Sequence, residues 1–146
     1  MTESPVTENP MAENHEAGAT ETPPWMKAIA GLCALTVVVA VGRDFFHPPS
    51  RAVEVWFGFE IEGTAALVTA PLHWAIFATG AWAFWRGVPW AVPAGAAYLF
   101  YAALCHIVWS EVSPNGNGLM VGLVQATALS AIALTLLRAG TRTPRP

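Results

Sequence analysis

Among the side chains of this sequence able to do chemistry, His73 stands apart, because it lies ten residues into a stretch, 64–85, that holds no Asp, Glu, Lys or Arg. Ionisable groups are costly in apolar surroundings and are often functional there. On a helix Glu62, Ala66, Thr69, His73, Phe77, Gly80 and Phe84 share one face. Glu62, Thr69 and His73 thus form an expected polar stripe that descends towards the middle of the stretch. His106 lies near the end of a second uncharged stretch, 88–110, with Glu111 five residues on. A histidine beside a carboxylate in low dielectric suits proton transfer, since burial raises a carboxyl pKa towards neutrality. His73, His106 and Glu62 are therefore the candidate catalytic residues. Thr69, Tyr98, Tyr101, Glu60, Glu111 and Gln125 are candidates to line a ligand cavity, with Glu60, Glu62, His106 and Glu111 at its polar mouth.

A metal reading draws on His47, His106, Glu62 and Glu111, whose imidazoles and carboxylates suit zinc or iron. Their spacing matches no HxxxH, ExxH or HExxH motif, and collected charges at a water interface explain them equally. A haem clamped by His73 and His106 is opposed by depth: the two differ by about 8 Å along antiparallel helices. A single-histidine tetrapyrrole stays open, and no cofactor is assigned. The cysteines, Cys33 and Cys105, form no CxxC and fall in different apolar stretches near opposite faces, so no disulfide is expected.

The elements that must position these residues are helices in a bilayer. The 146-residue chain is 54% apolar and only 12% charged, about half the charge of a soluble domain. Uncharged stretches at 64–85, 88–110 and 119–137 match the roughly 20 residues of helix that cross a hydrocarbon core. Four spans are expected, about 25–42, 64–85, 88–110 and 119–137, in an all-α, up-down transmembrane bundle. Residues 1–24, which hold five of the ten acids, read as a disordered acidic tail before a transmembrane domain, 25–146. No basic stripe supports nucleic-acid binding.

Ser50 is a plausible N-cap for a helix from Arg51. Continued to Trp85 such a helix would hold 35 residues and reach roughly 52 Å, too long for a bilayer. It must stand out in water or bend at Gly58 or Gly63. Pro71 should kink the second span, and Pro89 suits the first turn of the third. Gly118, Gly122, Ala126 and Ser130 recur every four residues, which allows close helix packing within the chain or in a homo-oligomer.

Lys27, Arg86, Arg138, Arg142 and Arg145 lie on the side of both termini, and Arg43 and Arg51 on the other. By the positive-inside rule both termini are expected in the cytoplasm, of a bacterial-type inner membrane. The function expected first is binding of a small or lipidic ligand, or of a partner subunit, through a polar-mouthed cavity on the outer side. An isomerase-like enzyme using His and carboxylate on an apolar substrate is the second reading, and an oligomeric small transporter the third.

Overall fold

A computed structural model describes residues 21–46 and 52–142. The expected acidic tail lies almost wholly outside these residues, as do His47, Ser50, Arg51 and Arg145. Four helices follow one another: α1 (Pro24–Phe46), α2 (Gly63–Arg86), α3 (Ala91–Val112) and α4 (Leu119–Arg142). Each is long and apolar enough to cross a membrane, which makes the chain a small polytopic membrane protein.

Between α1 and α2 the chain forms an antiparallel hairpin, β1 (Val53–Trp56) and β2 (Phe59–Glu62). This corrects the helix expected from Arg51. The stretch VEVWFGFEIE alternates in the two-residue period of a strand on either side of its centre. Its register pairs Val53 with Glu62, Glu54 with Ile61, Val55 with Glu60 and Trp56 with Phe59. Phe57 and Gly58 close it with φ of 55° and 86°, and a two-residue turn with both angles positive follows the natural twist of paired strands. Gly63, at φ 62°, then reverses the chain into α2, and its N–H extends the ladder to the Ala52 carbonyl at 3.0 Å.

The hairpin folds back between the helices. Gly58 is buried against Val108, so close that any Cβ would overlap that side chain, and such a Cβ would stand 3.0 Å from the Cys105 carbonyl. Cys105 is seven residues short of the end of α3, which puts the tip about 10 Å below it. A strand of four residues spans about 13 Å, the reach this descent requires. Non-helical backbone at such depth persists only where protein or a wet cavity covers it.

α2 runs unbroken through Pro71 and ends at Gly87, whose φ of 64° forms a left-handed cap. Val88 then donates to the Ala83 carbonyl at 3.1 Å, a helix-ending pattern that suits glycine. Residues 88–90 form a turn, so α3 starts at Ala91 and Pro89 precedes it. α3 packs most extensively on α4, and α1 on α2, whereas α2 and α3 touch little despite their short connection. All four helices meet only towards the end that carries the termini, around Met26, Ala30, Ala83, Phe84, Ala96 and Ala133. Small residues set these approaches. A Cβ on Gly122 would lie 2.9 Å from that of Ser110 and 3.1 Å from the His106 carbonyl. Gly122 and Ala126 are buried, and Gly122 meets α3 of the same chain, so at its centre the small-residue stripe takes the within-chain packing of the two that its spacing allows.

Candidate functional site

Two features occupy the space between the helix pairs: a charged network around His73, and an apolar crevice nearer the termini. His73 Nδ1 contacts Glu54 Oε2, and Glu54 Oε1 accepts from Arg43 at 2.6 Å. Arg43 Nε also donates to Asp44 Oδ1 at 2.7 Å, and Trp74 Nε1 donates to Asp44 Oδ2 at 3.0 Å. Glu54 is 7% exposed. The hairpin delivers it there, and Trp56, two residues on and on the same strand face, stacks on His73 with centroids 4.1 Å apart and planes 13° apart. The partner of His73 is thus Glu54, not Glu62.

The carboxylate defines the imidazole. It can accept only a proton carried on Nδ1, so in neutral His73 the lone pair is on Nε2. Nε2 has no hydrogen-bond partner among the described residues, and the side chain keeps 18% exposure.

The other strand face meets α3. Glu60 Oε1 accepts from Trp109 Nε1 at 2.7 Å and Ser113 Oγ at 2.6 Å, while Asn115 Nδ2 donates to Glu60 Oε2 at 3.2 Å. The Ser113 hydroxyl first, then the Trp109 indole, hold the Glu60 carboxyl below its ordinary range. At the tip the Phe57 N–H donates to the Tyr101 hydroxyl at 3.0 Å, and the Phe57 ring meets Tyr101 edge-on at 5.5 Å. Tyr101 touches Tyr98, and Tyr98 meets Phe77 edge-on at 5.4 Å. This row of rings leads from the hairpin to the crevice.

The crevice encloses about 1000 Å³ among all four helices, from Thr36, Leu72 and Tyr98 down to Trp25, Trp90 and Ala139. The hydroxyls of Thr36 and Thr135 on its wall are spent on the carbonyls of Leu32 and Ala131. Tyr98 makes no hydrogen bond among the described residues and so offers its hydroxyl. Leu32 and Ile132 are 64% and 55% exposed, so the space opens at the side of the bundle.

The expected site residues are only partly gathered. Tyr98 lines the crevice; Thr69, Tyr101, Glu60, Glu111 and Gln125 do not. Thr69 Oγ1 turns back to the Ala65 and Ala66 carbonyls at 3.0 and 3.1 Å, so it bridges nothing between Glu62 and His73. Glu62 and Glu111 are exposed. His106 Nδ1, Ser110 Oγ and Gln125 Oε1 are buried in α3 and α4 without a partner among the described residues. No cluster of three or more potential metal ligands exists among the described residues, so Glu62, His106 and Glu111 are not drawn together. Both cysteines are free. The residues that the sequence pattern did not connect to His73 are Arg43, Glu54 and Trp56; the strand alternation of 53–62 is the signal that links Glu54 and Trp56, and Arg43, on α1, carries none.

Compared with known proteins, the chain matches no family model, no curated protein and no solved structure.

Proposed function

We propose that this membrane protein binds an apolar, lipid-derived molecule in the crevice between its helix pairs. The observation that carries the reading is a cavity of about 1000 Å³ bordered almost wholly by hydrocarbon, between helix pairs of which α2 and α3 touch little. Cavities of about this size enclose most of a drug-sized ligand. Water finds few hydrogen-bond partners on such a wall and an alkyl chain needs none. The free Tyr98 hydroxyl would meet the polar end of the occupant. The lysines and arginines gathered at the termini support an inner-membrane setting with both ends in the cytoplasm.

The test is mass spectrometry of lipids that remain with the full chain through mild detergent purification. Wild type should retain an apolar molecule in near-stoichiometric amount. Ala94 is exposed and on the crevice wall, so Ala94→Trp puts bulk into the space rather than into backbone. A loss of about 1.4 kcal/mol in binding is tenfold in retention, and at least that drop is expected. Equal retention of the same lipids by both proteins would defeat the reading. The contact between Glu54 and His73 favours a second reading, acid–base catalysis.

A further inference from the structure

We propose that His73, oriented by Glu54, is a general base inside the membrane that exchanges protons with a carbonyl-bearing apolar molecule. The pair is separate from the crevice wall, and the proposal does not depend on what the crevice holds. Glu54 accepts at Nδ1, which leaves the lone pair of neutral His73 on Nε2, the one ring nitrogen without a partner among the described residues. This division of labour, a carboxylate behind and a free nitrogen in front, orients an imidazole for base catalysis. Glu54 is held in turn by Arg43, and Trp56 fixes the plane of the ring.

The imidazolium formed when His73 takes a proton would lie against a carboxylate. Arg43 contributes one positive charge, against one negative charge each on Asp44 and Glu54. Among the described residues of α1, α2 and β1 that make this network, the sum is one negative charge while His73 is neutral and zero once it is protonated. Glu60 and Glu62, on β2, are respectively bonded to α3 and exposed. The Trp56 indole N–H, in the ring stacked on His73, is buried with no acceptor among the described residues and would serve as a donor to a substrate oxygen. A base and a neutral N–H donor are the chemistry a carbonyl compound would use. Nε2 takes a proton from the carbon beside the carbonyl, and the C–H electron pair moves into the carbon framework to leave an enolate oxygen. The imidazolium then returns a proton to carbon.

Exchange of β-tetralone hydrogens for deuterium tests this step without knowledge of the natural substrate. The full chain in lipid vesicles is placed in D2O with the ketone, and uptake is followed by mass spectrometry. Wild type should exceed protein-free vesicles, and His73→Phe should fall to their rate. Glu54 is a positioning residue, so Glu54→Gln, nearly equal in shape, should slow exchange at least about tenfold. In the same variant 15N NMR of His73 should show the Nδ1–H form giving way to Nε2–H, a change that loss of packing alone does not produce. Wild-type exchange no faster than vesicles, a rate that survives His73→Phe, or an unchanged tautomer in Glu54→Gln would overturn the proposal. Lipid retention in Ala94→Trp is a separate measurement, so either idea can fail alone.

Discussion

Single atoms decide how closely this chain packs. Gly122 has Ser110 and the His106 backbone where its Cβ would be, so Gly122→Leu must push α4 from α3. Overpacking of this kind typically costs about 1–3 kcal/mol, and a thermal-shift assay in detergent should register it as a lower melting temperature. An unchanged melting temperature would mean that this face looks onto lipid. The four-residue spacing that flags Gly122 is visible in sequence, because a helix repeats its face at that interval. Which helix fills the groove is not visible, since Gly-rich seams within and between chains look alike. His73 was legible for a similar reason, as an ionisable group in an apolar run. Its partner was not: Glu62 shares a face with it only if one helix joins them, and the backbone leaves the helix at Gly63.

At the scale of elements the hairpin is the part the sequence pattern half concealed. Absence of proline over 51–70 argued for helix, while Val-Glu-Val-Trp and Phe-Glu-Ile-Glu alternate as strands do. Burial resolves the conflict, because only the strand turns Glu54 towards His73 and Glu60 towards α3. The Glu60 clamp makes the hairpin sensitive to acid. Its folded pKa lies below the ordinary value of 4.5. The stabilisation is therefore complete above that value and is lost as pH falls through the lower, folded one. The Trp109 indole resonance should hold steady from neutral pH to below about 4.5 and shift only in stronger acid. Ser113→Ala removes the largest cause of the depression, so the transition should move up towards the ordinary carboxyl range. A transition that stays in place would remove the Ser113 bond as its cause.

Across the whole molecule, the two ends differ in what they must do. At the end of the termini the four helices close on small residues, and Lys27, Arg86, Arg138 and Arg142 are all exposed. At the opposite end the helix pairs part, and a hairpin with Glu54 and Glu60 on its two faces fills the gap. The four spans were legible because uncharged runs of bilayer length admit little else; the crevice was not, because it arises from the separation of two helix pairs rather than from any residue pattern. Arg43 lies at the hairpin end but is committed to Asp44 and Glu54, which weakens its claim as a topological signal. On the remaining bias we propose that both termini are cytoplasmic and the hairpin lies on the far side. Alkaline phosphatase matures only outside the cytoplasm, so fusion at Asn115, in the connection between α3 and α4, should be active. Fusion after Arg138, near the end of α4, should be inactive. The reverse pair of activities would invert the orientation, and with it the side from which acid reaches Glu60.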